Sequence, residues 1–385
     1  MNTSHHRWPY RIPLGVALGL AASAVVLAML PGGGSGRSRP EGGKLLSECD
    51  GAIREIVIHY VPEAADVVAP TYRDFLRQLP GDVVVRVVCC NRAAFDDLAA
   101  RVAPTKCTLS PVIVDHPITS WSRDRWLALR ATADADKTVL LCPRAENGAD
   151  IWPDRAGDRQ VAADLAAALC PNVSVLSSEL YFDGGDIAAD GETAFVTPAM
   201  PLRNIQRTVQ DAEALREQLA AVLGRRVVLL HDAPDHHTAM YMAPVGNRTV
   251  LVGDPASARR ILVEAGKLRD AAAWFPGGPD FSDAAIARFN AVAEQCQAAG
   301  YRVVRIPVVP GCDSRTFLTY VNAIIDQRGA SRIVYMPVFG VADELNRAAA
   351  RVWTNLGYEV RTVRCDGCYR CFGTLHCLVN VLRRG

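Results

Sequence analysis

Four short stretches of the sequence concentrate side chains that could act chemically on a small polar molecule. They are Trp121–Trp126 (WSRDRW), Phe182–Asp186 (FDGGD), Asp235–Tyr241 (DHHTAMY) and Gly373–Cys377 (GTLHC). Between them they supply a thiol, imidazoles and carboxylates. A cysteine needs a base and a carboxylate-lined pocket to act as a nucleophile, so the combination predicts a Cys/His/carboxylate site.

Each stretch taken alone also has a purely structural explanation. Asp124 between two arginines could form a surface ion pair. Asp183 and the glycines after it could form a turn. His237 could be a hydrogen-bonded histidine and Cys377 a core thiol. The functional interpretation therefore depends on the four stretches occurring together.

Composition excludes several classes of protein. Of the 385 residues, 50% are hydrophobic and 22% are charged, which is typical of a globular protein and not of a disordered or fibrous one. Lys and Arg number 42 and Asp and Glu 41, so the net charge of +1 gives no electrostatic support for nucleic-acid binding. The sequence has no GxGxxG after a strand and no GxxxxGK[ST], so nucleotide chemistry is not supported either.

The N-terminus has the pattern of an export signal. Leu14–Leu30 carry no charge, follow a basic start and are near the lower limit for spanning a hydrocarbon layer of ~30 Å. We therefore predict a signal peptide or membrane anchor at residues 1–30, a flexible tether at 31–48 and one catalytic domain at 49–385. The expected location is the cell envelope, with the protein periplasmic, membrane-anchored or secreted.

Strands and helices are predicted to alternate along most of the chain. Ten β-branched runs predict strands: 55–60, 83–88, 138–142, 173–176, 194–197, 226–230, 249–252, 303–308, 332–336 and 359–363. Five amphipathic patterns predict helices: 64–79, 160–169, 208–223, 282–299 and 342–356, the last stopped by Gly357. The class is therefore α/β. A hairpin around Asp190-Gly191 argues against a strict (β/α)₈ barrel or a doubly wound sheet.

The twelve cysteines do not reach the density of a disulfide scaffold, and their pairing is left open. The run CDGCYRC at Cys365, Cys368 and Cys371 has the spacing of half a zinc loop, but the second half is missing. No metal site is therefore predicted.

The four stretches, in their order, resemble the guanidino-group-modifying (pentein) superfamily, and within it the branch of agmatine deiminases and Porphyromonas-type peptidylarginine deiminases. WSRD at Trp121–Asp124 resembles a W-x-R-D motif, FDGGD resembles an [E/D]-G-G motif, and His237 with the strand after it resembles a histidine motif. The C-terminal runs that resemble this branch are Phe317–Asn322 (FLTYVN), Val334–Gly340 (VYMPVFG) and Leu375–Cys377 (LHC). The resemblance implies a five-bladed, pseudo-fivefold α/β propeller with a central active site.

The resemblance also implies roles for individual residues. Cys377 would attack the guanidinium carbon, and His237 would protonate departing ammonia and then activate water. Asp183 would hold His237, and Asp124 would grip the guanidinium. Trp121 and Arg123, from the same motif as Asp124, would help to bind the substrate. The intermediate would be a covalent thiouronium and the product a ureido compound, with no metal or organic cofactor.

One position departs from the family pattern. The histidine motif is usually H-x-D, but here Ala239 stands where that aspartate would give a second contact to the guanidinium. The substrate, agmatine, peptidylarginine or free arginine, therefore stays open. Two alternatives to hydrolysis also stay open: an envelope-anchored pseudoenzyme that binds a guanidinium without turnover, and an amidinotransferase. The oligomeric state is not predicted.

Overall fold

The predicted strands and helices are all present, with ends that move by a few residues. The computed structural model describes residues 43–144 and 155–385. Its strands are β1 Gly43–Leu45, β2 Ile53–His59, β3 Val84–Cys89, β4 Thr108–Ile113, β5 Leu127–Ala131, β6 Thr138–Cys142, β7 Val173–Ser177, β8 Ile187–Ala189, β9 Thr193–Val196, β10 Arg226–Leu229, β11 Met242–Pro244, β12 Thr249–Asp254, β13 Arg302–Pro310, β14 Phe317–Thr319, β15 Ile324–Arg328, β16 Ser331–Val338, β17 Glu359–Arg364 and β18 Val379–Arg384.

The longer helices pack an apolar face on a sheet. The described helices are α1 Ala65–Leu76, α2 Arg92–Val102, α3 Val161–Ala168, α4 Ala199–Asn204, α5 Ala212–Leu223, α6 Pro255–Glu264, α7 Asp283–Ala298, α8 Asp343–Asn355 and α9 Leu375–Leu378. In α8 the buried residues include Leu345, Ala349 and Trp353, one turn apart, and the left-handed Gly357 follows its end, as predicted.

Four of the described helices, α2, α4, α6 and α9, were not predicted, and for α2 and α6 the start signals are in the sequence. The Asn91 side chain accepts the N–H of Ala94 at 2.9 Å and caps α2. The Asp254 side chain accepts the N–H of Ser257 at 3.0 Å and caps α6, whose first residue is Pro255.

The described strands form five sheets of three or four strands. Their strand orders are β1-β5-β6-β7, β10-β9-β8, β11-β12-β13-β14, β15-β16-β17 and β18-β2-β3-β4. The predicted hairpin around Asp190-Gly191 is the antiparallel pair β8–β9.

The five sheets contain one repeated unit. In each, a first strand pairs antiparallel with a second, a helical crossover follows, and a third strand pairs parallel with the second. The units are β5-β6-α3-β7, β8-β9-α5-β10, β11-β12-α7-β13, β15-β16-α8-β17 and β18-β2-α1-β3. The last unit combines strands that are far apart in the sequence, because its first strand is β18 and its second is β2. No sequence repeat had indicated this regularity.

The predicted N-terminal signal or anchor, residues 1–30, lies outside the described residues, as does most of the 31–48 tether. None of the described helices is both long and apolar enough to cross a membrane.

Candidate active site

Five polar side chains occupy equivalent places in the five repeated units. Each lies a few residues before the first strand of its unit, so that the folding of all five sheets is needed to position them. They are Asp124 before β5, Asp183 before β8, His237 before β11, Asn322 before β15 and Cys377 before β18. Asn322 was not among the predicted site residues, although it ends the run FLTYVN.

The thiol of Cys377 lies on the short helix α9, and the residue is 5% exposed. Its Sγ is 3.4 Å from the Nδ2 of Asn322 and 3.9 Å from the Sδ of Met240. Asn322 is held by its other end, because its Oδ1 accepts hydrogen bonds from the Oγ1 of Thr374 at 2.6 Å and from the N–H of His376 at 2.8 Å. The amide is therefore fixed with its Nδ2 donor towards the sulfur.

The imidazole of His237 lies between two carboxylates. Its Nδ1 is 3.9 Å from the Oδ1 of Asp124, and its Nε2 is 4.0 Å from the Oδ2 of Asp183. Burial alone would lower the pKa of His237, but Asp183, the adjacent Cys377 thiol and Asp124 outweigh it and raise this pKa well above its usual value. His237 is therefore a cation at neutral pH, next to the sulfur.

The carboxylate of Asp183 is surrounded by cations. Arg125 lies 3.3 Å from its Oδ1, and Arg203, on α4, donates to its Oδ2 at 3.2 Å. Burial would raise the pKa of Asp183, but His237 and these two arginines outweigh burial and hold the pKa well below its usual range. Arg203 also donates to Asp186, whose carboxylate accepts the backbone N–H of Asp183 at 2.7 Å. Asp183 is therefore ionised and locked in position.

Asp124 is buried, and its backbone carbonyl accepts the N–H of Gly184 at 2.7 Å, which ties the WSRD and FDGGD stretches together. Its Oδ2 accepts a hydrogen bond from Arg155, which the sequence analysis did not single out. The structure thus brings Asp124, Asp183, His237 and Cys377 together, and adds Asn322 and a set of arginines around the acids.

Residues 58–381 match the sequence profile of the Porphyromonas-type peptidyl-arginine deiminase family. The chain belongs to this family. The resemblance found in the four stretches is therefore confirmed, and the protein is a hydrolase acting on carbon–nitrogen bonds of linear amidines. No curated protein matches the sequence.

Solved structures of deiminases have the same mixed α/β fold as this family member. The C. jejuni agmatine deiminase is 14% identical with a TM-score of 0.65, covering 89% of this chain and 96% of the other. The putative arginine deiminase from Porphyromonas gingivalis is 20% identical with a TM-score of 0.63, covering 87% and 96%. The agmatine deiminase of Enterococcus faecalis is 14% identical with a TM-score of 0.64, covering 89% and 96%. At these identities the likeness shows the fold alone.

Two glycines of this peptidyl-arginine deiminase family member allow side chains of the site to pack closely against the backbone. A Cβ at Gly185 would lie 2.4 Å from the Nδ1 of His237, so the imidazole packs directly on that glycine. A Cβ at Gly373 would lie 2.5 Å from the Trp121 ring and 3.1 Å from the Cβ of Cys377. Trp121 is therefore adjacent to the stretch that holds Cys377, and glycine is required at both positions because of close contact.

Gly185→Ala should reduce catalytic turnover on the order of 10²-fold, because the added methyl would displace His237 by about an ångström. The protein should remain folded, since Gly185 does not have a positive φ. Turnover and melting temperature would be compared with Gly81→Ala, where the new Cβ meets only a carbonyl at 3.5 Å. Full activity in Gly185→Ala would show that the position of this imidazole does not matter.

The neighbouring His236 has a different environment and charge. Its Nδ1 accepts the N–H of His237 at 2.7 Å, and its Nε2 donates to the carbonyl of Phe372 at 3.0 Å. Burial and then the charge of His237 lower the pKa of His236 to about 3. It is therefore neutral and ties the histidine stretch to the segment before Cys377.

Arg123, predicted to bind substrate, has its guanidinium engaged elsewhere. It pairs with Glu48, donates to the Oδ1 of Asn380 at 3.3 Å and donates to the carbonyl of Ile187 at 3.1 Å. His376, next to Cys377, lies 3.9 Å from the same Glu48. Burial, together with Arg123 and Arg384, lowers the pKa of His376 well below its usual value. These contacts fix the positions of Arg123, next to Asp124, and of His376, next to Cys377.

The cysteine run before Cys377 is packed into the protein. Cys365 and Cys368 are fully buried, and the Sγ of Cys368 is 3.3 Å from the Oγ1 of Thr71. All twelve cysteines fall in the described ranges, and each is a free thiol. Within those ranges no three His, Cys, Asp or Glu side chains form a group suited to a metal ion.

Proposed function

We propose that this protein hydrolyses a guanidino group through covalent attack by Cys377. The observation that carries the proposal is the convergence of the Cys377 thiol, a cationic His237 and the carboxylates of Asp124 and Asp183 at one site in a member of a deiminase family. A guanidinium is planar, cationic and resonance-stabilised, so its carbon resists attack unless carboxylates hold it beside a strong nucleophile.

In the proposed reaction the Cys377 sulfur, as thiolate, bonds to the guanidinium carbon and gives a tetrahedral adduct. His237 gives its proton to a nitrogen of the adduct, the carbon–nitrogen bond breaks, and ammonia leaves a thiouronium. Neutral His237 then takes a proton from water as the water oxygen bonds to the carbon. The carbon–sulfur bond then breaks, and the proton left on the hydroxyl of the adduct passes to solvent water. The ureido product, the Cys377 thiolate and protonated His237 remain. Asp183 keeps His237 oriented and charged at the first step.

We propose a small guanidino compound or a peptidylarginine as the substrate. A structure of the C. jejuni agmatine deiminase carries a bound substrate, and that enzyme shares the fold of this chain. The carboxylate of Asp124 is the one we assign to the substrate guanidinium. Ala239 is buried at the place of the usual second aspartate, so Asp124 would make this contact without that partner.

We further propose that the five sheets are the five blades of a ring. Three features support this arrangement: five copies of one unit, equivalent places for the five polar residues, and the pairing of the late strand β18 with the early strand β2. Location in the cell envelope, through residues 1–30, remains part of the proposal.

The test of the function is ammonia release by the purified full-length protein. Agmatine, free arginine and a peptide with an internal arginine would each be supplied, and both ammonia and the ureido product would be measured. We expect equimolar amounts of the two from at least one substrate. A folded protein that binds these compounds but releases no ammonia would be a guanidinium-binding protein without turnover.

A further inference from the structure

The Asp124 carboxylate already binds a guanidinium group of the protein itself, that of Arg155. Arg155 donates from a terminal nitrogen to the Oδ2 of Asp124, and its Nε is 3.8 Å from the Oδ2 of Asp158. The Arg155 side chain is 21% exposed, whereas that of Asp124 is 5% exposed and that of Asp158 is fully buried. A buried arginine–carboxylate pair of this kind is a strong contact.

Asp158 fixes the direction from which Arg155 reaches Asp124. The Asp158 carboxylate accepts the backbone N–H of Thr119 at 2.7 Å and the Thr119 hydroxyl at 2.6 Å. It is therefore held by the segment just before WSRD, and Arg155 lies between two fixed acids. The charges of Asp124, Asp183 and Asp158 together outweigh burial and raise the pKa of Arg155 above its already high value. Arg155 is therefore a permanent cation at the site.

The other oxygen of Asp124 has no such partner. The Oδ1 is buried, accepts no hydrogen bond from any described residue and lies 3.9 Å from the Nδ1 of His237. A planar cation that used both oxygens of Asp124 would have to take the Oδ2 from Arg155. Asp183, the other carboxylate beside His237, is already paired with Arg203 and Arg125.

We propose that the Arg155 guanidinium is an internal competitor for Asp124, and that it determines how tightly the site accepts a guanidinium ligand. The inference rests on the proposed function only in assigning Asp124 to the substrate guanidinium. When a site is competent for only a fraction of the time, the apparent affinity falls by that fraction. If Arg155 holds Asp124 for nine-tenths of the time, ligand binding weakens about tenfold.

Binding of the free guanidinium ion tests this without any need for turnover. Millimolar guanidinium chloride would be titrated, at ionic strength kept constant with potassium chloride, into the full-length wild type and Arg155→Ala. Saturable binding would be followed by calorimetry and by the shift in melting temperature. We expect Arg155→Ala to bind the ion about tenfold or more tightly than wild type, and the added change Asp124→Asn to abolish the gain. Equal or weaker binding by Arg155→Ala would overturn the proposal.

Two further variants keep the test decisive. Arg155→Met preserves the apolar stem and would replace Arg155→Ala if the smaller residue prevents folding; the same gain is expected. Arg92→Ala, which removes an exposed arginine paired with Asp96 on α2, should leave binding unchanged. If Arg92→Ala bound guanidinium as tightly as Arg155→Ala does, the tighter binding would result from the change in net charge, and the proposal would fail.

The KM and kcat of the same variants separate this proposal from the proposed function. We expect Arg155→Ala to lower KM with kcat nearly unchanged, because the competitor acts on binding alone. A raised KM would mean that Arg155 binds the substrate and would overturn the proposal. Tighter guanidinium binding in a protein that turns over no substrate would sustain the role of Arg155 and remove only the catalytic function.

Discussion

Replacing Cys377 by serine is expected to reduce ammonia release roughly 10⁴-fold or more, because a serine hydroxyl at this site has no adjacent neutral base to activate it. His237, the neighbouring imidazole, is held as a cation by Asp183, the thiol and Asp124. That charge suits a thiolate and does not suit an alcohol that must first lose a proton. Ammonia release with saturating substrate measures the effect.

Two observations would complete this experiment. Serine is close to cysteine in size, so the Cys377→Ser protein should keep its melting temperature and still bind guanidinium. Cys371→Ser is the matched control, since Cys371 is a half-buried thiol six positions earlier, on the 3₁₀ turn Cys368–Cys371. If Cys371→Ser lost most of its activity and Cys377→Ser retained it, the proposal that Cys377 is the nucleophile would be wrong.

Replacing His237 by asparagine is expected to reduce turnover by about 10²- to 10⁴-fold, the usual contribution of a general acid and base. The wild-type rate should persist above pH ~6.5, the ordinary pKa of histidine, because Asp183 raises the pKa of His237. The rate should then fall as pH rises through that raised pKa, since the imidazolium that we propose as the proton donor to the leaving nitrogen is lost. His231→Asn, at an exposed histidine, is the control.

The same raised pKa gives a stability effect of known sign. A histidine whose folded pKa exceeds its unfolded value stabilises the fold fully below pH ~6.5, and the stabilisation is lost as pH rises through the folded pKa. The melting temperature of wild type should therefore fall in that alkaline window, and that of His237→Asn should fall less. Identical alkaline profiles for the two proteins would contradict the coupling of His237 to Asp183.

The predictable part of the secondary structure has a clear physical basis. The ten predicted strands are ten of the eleven strands that take part in parallel pairs, the exception being β4. Most of these strands are largely buried, and buried strands have continuous β-branched runs in the sequence. Apart from β4, the strands that were not predicted pair antiparallel, and several, such as β1, β11 and β14, have three residues. So short a strand carries too little alternation to be seen in a sequence.

In the candidate site, too, some residues could be predicted from the sequence and others could not. Cys377, His237, Asp183 and Asp124 stand out in the sequence because each lies in a stretch of uncommon polar composition with a family resemblance. Arg155, Arg203 and Asn322 do not stand out, because an arginine or asparagine in a loop is ordinary until its partner is known. Arg203 lies on α4, and nothing local to that helix indicates that it pairs with Asp183 and Asp186.

The sequence by itself determined the reactive groups, their order along the chain and the mixed α/β class, since these follow from residue types and local periodicity. Only the tertiary structure decided the charges and partners of those groups. The cationic state of His237, the neutral state of His236 and the occupation of Asp124 by Arg155 depend on burial and on contacts between units far apart in the chain. Electrostatic interactions act through space and strengthen where water is excluded, so residue spacing along the chain does not contain them.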